Sequence, residues 1–235
     1  VAGQRAAVNL QGIERAAIER GDVLSLPDLL QPTYMLDATC ELLRDAPAPL
    51  RTRQRVRFHI GTSEVMARVH LMDGEALEPG QTGYVQLRLE GPVVALPRDR
   101  YVIRSYSPMV TIGGGELLDV APAKSRRSPA LAARLRTLET SAPGAVLEAH
   151  VQRVGGGGAR LAELRARTSF GPAALRALLQ DLVTLGRVLI VDREWYVHVE
   201  TAERVRQEAE TVLAAMQVYS TALPERRVWV ANRRS

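Results

Sequence analysis

The sequence predicts a multidomain protein, an all-β barrel followed by α+β units of the winged-helix kind. Three observations carry this. Before residue 122, apolar and polar residues alternate with period two. Beyond it, apolar residues recur every three or four positions, the spacing of one helix face. The helical part then runs into two alternating stretches around Asp192 and Arg193, which read as a β-hairpin.

In chain order, residues 6–10 and 23–26 read as a strand pair belonging to a unit that precedes the barrel. With no initiator Met, the chain is expected to be N-terminally incomplete. RVRFHI (55–60) sets Val56, Phe58 and Ile60 against Arg55, Arg57 and His59. EVMARVHLM (64–72) sets Val65, Ala67, Val69 and Leu71 against Arg68 and His70. YVQLRLE (84–90) alternates Val85, Leu87 and Leu89 with Gln86, Arg88 and Glu90, and RYVIRSY (100–106) opposes Tyr101 and Ile103 to Val102 and Arg104. Asp73-Gly74, Glu78-Pro79-Gly80, Gly91-Pro92 and Pro97-Arg98-Asp99 supply turns between them. Short strands at this spacing form a small antiparallel barrel or sandwich.

The segment 121–129 reads as a linker with few ways to pack. Ser128 is a suitable N-cap and Pro129 suits the first helical position, where its missing N–H costs nothing. Leu131, Leu135 and Leu138 follow at helical spacing, and a second helix runs from about Gly144 through Val151. Residues 155–158, four glycines, read as a flexible break. A short helix (161–167), a turn and a longer helix carrying Leu175, Leu178, Leu179, Leu182 and Leu185 lead to Gly186, which ends it. The hairpin of 187–192 and 194–199 completes the order of a winged helix-turn-helix. From Thr201 another amphipathic stretch begins, as a second such unit would, and the last dozen residues show no clear periodicity.

Chemistry is narrowed mostly by exclusion. Cys40 is the only cysteine, so no intrachain disulfide and no cysteine-rich zinc site exists, and its apolar neighbours mark it as a small buried residue. His59, His70, His150 and His198 show no metal-ligand or triad spacing. Gly113, Gly114 and Gly115 invite a phosphate-loop reading, but Glu116, Leu117, Leu118 and Asp119 follow as a strand, without the lysine such a loop needs. No catalytic, cofactor or metal site is therefore expected, and the chain is not expected to be an enzyme. No stretch is long and apolar enough to span a membrane, and no signal peptide is present, so a cytoplasmic protein is expected. The net charge is +5, and all but Lys124 of the 31 basic residues are arginine. That balance favours a polyanionic partner, for which guanidinium suits phosphates and stacked bases.

RVRFHIGTSEVMARVHLMD and LEPGQTGYVQLRLEGPVVALPRDRYVIRSYSPMVTIGGGELLD resemble the third domain of the bacterial selenocysteine-specific elongation factors (SelB). The wider pattern is similar to that of elongation factor Tu: Pro79-Gly80, the strand from Leu89 to Val93, the strand from Asp99 to Arg104, and the glycine strand from Thr111 to Gly115. HIGTSEV and the SYSPMVTIGGG form point to the selenocysteine branch. The resemblance implies an elongation factor Tu domain 3-like barrel at 27–121 that supports tRNA, preceded at 1–26 by the end of a second barrel. It also implies a winged helix at 122–200 and the start of another at 201–235. In that family the GTPase domain lies upstream, so GTP and Mg²⁺ are expected there and not in this chain.

The implied role is part of a factor that delivers selenocysteinyl-tRNA to the ribosome at UGA codons, with winged helices reaching toward the mRNA selenocysteine-insertion hairpin. A monomer is expected. Candidate tRNA contacts, to phosphate or 2′-OH, are Arg57, His59, Thr62, Arg104, Tyr106 and Thr111. Arg5 matches the place where the family keeps an arginine near the selenocysteinyl group, whose selenolate is anionic where serine is neutral. On the winged helix, Arg165, Arg167, Arg176 and Arg193 are candidate RNA contacts. Two other classes stay open: a DNA-binding winged-helix regulator with a β-barrel sensing domain, and a spacer without RNA affinity. Against the regulator, the helix after Gly171 carries only Arg176 and Arg187, near its ends.

Overall fold

The computed structural model describes residues 4–27 and 29–222. Residues 4–27 run as largely exposed chain with one 3-10 turn, Arg15–Ala17, so the strand pair expected at 6–10 and 23–26 does not form among the described residues. A strand needs a hydrogen-bonding neighbour, and no described segment supplies one. Val8, Val23 and Leu24 accordingly stay exposed. The segment touches the barrel where Arg20 Nε donates to the Thr62 carbonyl at 3.0 Å.

The alternating segments form the strands they predict. Together with β1 (Thr33–Leu42), a strand not expected from the sequence, they close a six-stranded barrel: β3 (Arg55–Ile60), β4 (Ser63–Leu71), β6 (Thr82–Val93), β7 (Arg100–Ser105) and β8 (Thr111–Asp119). Their order is β1-β6-β4-β3-β7-β8, with β8 returning to β1, and every pairing is antiparallel. Two short strands, β2 (Leu50–Arg51) and β5 (Ala76–Leu77), pair separately. Inward residues such as Phe58, Leu87, Ile103 and Leu117 are fully buried. Cys40 is among them, and burial pushes its thiol up to about 11, which suits a packing residue and not a nucleophile.

The three glycines of β8 have a steric cause. A Cβ on Gly115 would lie 2.1 Å from the Thr39 carbonyl oxygen. On Gly113 it would meet the Glu41 carbonyl at 2.4 Å, and on Gly114 the Tyr101 carbonyl at 2.4 Å. Alternate residues of β8 thus press on β1 and β7, and only glycine fits.

The second half begins with α1 (Pro129–Thr140), whose N-terminus is capped as its sequence predicts: Ser128 Oγ accepts from the Leu131 N–H at 3.2 Å. There follow α2 (Pro143–Val154), a 3-10 turn at Gly155–Gly157, β9 (Ala159–Arg160), α3 (Leu161–Thr168) and α4 (Pro172–Thr184). The wing is β10 (Val188–Asp192) and β11 (Trp195–His198), and α5 (Val199–Ala222) leaves from it. The glycine run is a shaped turn, not a loose break: Gly155 and Gly158 take φ of 70° and 68° and deliver β9 to the edge of β11. Leu147, Leu164, Leu175 and Leu179 form this unit's core. Leu185 does not join it; it lies just past the end of α4 and is 72% exposed. The amphipathic stretch from Thr201 forms α5, and residues 223–235 lie outside the described residues.

Barrel and winged helix are joined by packing, contrary to the loose linker expected at 121–129. Leu135 and Leu138 of α1 form a small core with Met72 and Leu118 of the barrel. Arg98 donates to the carbonyls of Leu138 and Glu139, both at 3.0 Å, satisfying the C-terminal end of α1 from the barrel side. Beside this core lie two acids with no solvent exposure, Asp37 of β1 and Asp119 of β8. Arg134 of α1 bridges them, binding Asp119 and reaching Asp37 at 3.3 Å. Arg153 of α2 binds Asp119 at 2.6 Å, and Arg167 of α3 lies 3.7 Å from it while donating to the Ala121 carbonyl at 3.2 Å. Burial pushes the Asp119 carboxyl up, but Arg153 and Arg134, with His150, more than offset this and hold it below its ordinary value. Asp37 is raised, because burial outweighs the Gln86 hydrogen bond and Arg134. Gln86, outward by alternation, is covered here too and donates to Asp37 at 3.0 Å.

Candidate RNA-binding surface

The outer face of the barrel brings most of the predicted tRNA contacts together. Along β3, Arg55, Arg57 and His59 point away from the core, as alternation requires. The register sets Arg55 opposite Arg68 of β4, and Arg68 opposite Arg88 of β6. Arg57 lies opposite Arg104 of β7. Like charges placed directly across strands are unfavourable unless other groups compensate.

Carboxylates on the same face provide part of that compensation. Arg55 forms a two-pronged pair with Glu90, at 2.9 and 2.5 Å, and Arg57 binds Glu64 at 2.7 Å. The hydrogen bond from Arg57 is the main reason Glu64 sits below its ordinary pKa, and the bond from Arg55 does the same for Glu90. Tyr106, 54% exposed on the loop between β7 and β8, lies under both guanidiniums, 5.2 Å from Arg55 and 5.7 Å from Arg57. Arg104 donates to the Met109 carbonyl of that loop at 3.2 Å. His59 lies 3.9 Å from Glu64, and its Nε2, like Nε of Arg57 and of Arg104, is buried without a hydrogen-bond partner among the described residues. Thr111, exposed, begins β8 at the other end of the same loop, opposite Arg104. Thr62 sits apart, at the far turn between β3 and β4.

The remaining candidates fall into three settings. Arg5 is exposed on the N-terminal segment and makes no hydrogen bond or ion pair among the described residues. Arg176 and Arg193 line one concavity of about 300 Å³ with Gln180 and Ile190, so the structure unites the helix and wing arginines. Arg165 is half-buried on α3, while Arg167 faces the barrel and is engaged in the Asp119 cluster. Arg187 is paired to Glu148 at 2.6 Å.

Sequence reasoning passes over a second basic concavity, of about 810 Å³, where the turn before β3, the end of β4, the middle of β6 and the linker meet. Arg53, His70, Arg88, Lys124, Arg126 and Arg127 line it. Burial, and then the charges of Arg88, Arg53 and Lys124, lower the pKa of His70. The signal is visible as Lys124, Arg126 and Arg127 close together in the linker, but not that the strands' arginines would face them.

Among the described residues no His, Cys, Asp and Glu side chains gather in a group able to hold a metal ion. No described helix is long and apolar enough to cross a membrane.

The profile of the family described as "Selenocysteine-specific elongation factor, beta-barrel domain" matches residues 37–124, which begin in β1 and end just beyond β8. A selenocysteine-specific elongation factor of Desulfomicrobium baculatum is 38% identical over 181 residues, 77% of this chain and 28% of that protein. The one of Haemophilus influenzae is 27% identical over 130 residues, 54% of this chain and 20% of that protein. The chain thus spans less than a third of the length of these relatives. A crystal structure of a bacterial selenocysteine-specific elongation factor superposes on 94% of this chain and 33% of its own with a TM-score of 0.68 at 16% identity, a likeness of fold. Barrel topology, family profile and sequence identity agree: the chain is similar to a portion of the selenocysteine-specific elongation factors, the portion that holds their β-barrel domain.

Proposed function

We propose that this chain is the portion of a selenocysteine-specific elongation factor that supports selenocysteinyl-tRNA and carries the arm toward the mRNA hairpin during decoding of UGA on the ribosome. The observation that carries the reading is the outer barrel face, where Arg57 and Arg104 meet across the strands beside Tyr106. Guanidiniums and a ring on the outside of a barrel suit phosphates, riboses and stacking more than base-edge reading. Arg5 is proposed to stand near the selenolate, and Arg176 with Arg193 to touch RNA from the winged helix. GTP and Mg²⁺ are proposed to act in a GTPase domain, because this sequence carries no phosphate loop.

The test is a titration of the chain with selenocysteine tRNA, an elongator tRNA and a DNA duplex, each at two salt concentrations. Tighter binding of tRNA than of DNA, weakened about tenfold by Arg57→Gln with Arg104→Gln, is the expected result. Preference for the duplex would replace this reading with the regulator. Absence of binding to any of the three would leave the spacer.

A further inference from the structure

The basic concavity between barrel and linker differs from the outer face in its charge balance. On the outer face Arg55 and Arg57 have carboxylates at bonding distance. The concavity has five permanent cations, Arg53, Arg88, Lys124, Arg126 and Arg127, and one lining carboxylate, Glu75. Glu75 is 91% exposed and comes only within 4.0 Å of Arg127. Arg88 donates to neutral acceptors alone, Gln86 Oε1 at 3.2 Å and the Ser125 carbonyl at 3.2 Å. A cleft that gathers cations this way destabilises itself, and an anion seated in it removes the repulsion.

We propose that this cleft binds a phosphate of an RNA backbone, held between barrel arginines below and linker cations above. The proposal rests on the RNA reading above and adds a contact to it away from the loop between β7 and β8. Arg88 already ties the linker to the sheet through Ser125, and Ser125 N–H donates to Gln86 at 3.3 Å. A phosphate in the cleft would therefore draw together the two parts that the linker joins. Fixed donors on Arg88 and adaptable ones on Lys124, Arg126 and Arg127 fit a phosphodiester met at variable angles.

The test uses the full chain and three ligands: the selenocysteine tRNA transcript, inorganic phosphate and a DNA duplex. Lys124, Arg126 and Arg127 are exposed, so their joint replacement by Gln leaves the fold intact, which circular dichroism checks. The triple variant is expected to bind tRNA about tenfold more weakly, with the slope of log K against log salt reduced by about one to two. Inorganic phosphate is expected to raise the His70 pKa in an NMR titration of the wild type, and not in the triple variant. If phosphate moves His70 but tRNA affinity ignores the triple substitution, the cleft takes free anions and the RNA proposal is overturned. If neither responds while Arg57→Gln with Arg104→Gln weakens tRNA, the cleft proposal fails and the RNA reading survives. If no tRNA binds at all, both fail, and the phosphate arm alone decides whether an anion site exists.

Discussion

Arginines at the barrel–winged helix junction and arginines on the outer barrel face are the same residue type put to opposite uses. At the junction Arg134, Arg153 and Arg167 converge on Asp119, which has no contact with solvent. On the outer face Arg55 and Arg57 pair with Glu90 and Glu64, which stay exposed. The difference lies in the acid. A buried carboxylate must be surrounded by cations or become neutral, so its arginines are structural. An exposed carboxylate holds its arginine weakly, and a phosphate can compete for it.

Asp119→Ala puts this contrast to its severest test. It strands three guanidiniums in a covered site, and a loss of about 3–5 kcal/mol in urea denaturation is expected. A loss below about 1 kcal/mol would mean that the cluster is no more than a surface network. His150 offers the next test. It is 2% exposed with neither ring nitrogen bonded among the described residues, and burial lowers its pKa to about 4. A folded pKa below the unfolded value of about 6.5 gives stability that is full above about pH 6.5 and declines as pH falls toward 4. The decline should reach roughly 3 kcal/mol, since each tenfold change in proton affinity is worth about 1.4 kcal/mol. His150→Leu should flatten that limb of a stability–pH profile. If the limb survives the substitution, other groups at the junction cause it.

A smaller effect is expected of Gly115→Ala, whose Cβ would overlap the Thr39 carbonyl. Overpacking of this kind costs about 1–3 kcal/mol, measurable as a fall in Tm. The smallest belongs to the outer face: Arg57→Gln should change stability by less than about 0.5 kcal/mol while weakening tRNA. A stability loss as large as that of Asp119→Ala would erase the distinction between the two sets.

Strand periodicity carries far in this chain, and its failures share a cause. It passes over β1, although Leu36, Ala38, Cys40 and Leu42 alternate with Asp37, Thr39 and Glu41, and alternation would leave Asp37 in water where the structure buries it. Gln86 and Asp119 mislead in the same way, being polar, outward from the barrel and yet covered. Alternation reports which face of a strand meets its own core, and cannot report that a second domain settles on the other face. Arg167 follows from this: a solvent arginine by spacing on α3, it faces the barrel only once α1 and α2 have docked. The outer-face set is more legible, since Arg57, His59, Arg104 and Tyr106 lie on neighbouring strands and one loop. Their carboxylate partners are not, because Glu64 and Glu90 come from strands whose register must be known first.

β8 begins at Thr111, beside the loop that holds Tyr106, and ends at Asp119. Nine residues at about 3.3 Å each make it a strut of roughly 30 Å. Its glycines let it seat against β1 and β7 with no side chain between. One end of this strut lies beside the Tyr106 loop, and the other carries Asp119, on which arginines of three helices converge. The seat of the winged helix is therefore fixed by the last residues of a single barrel strand.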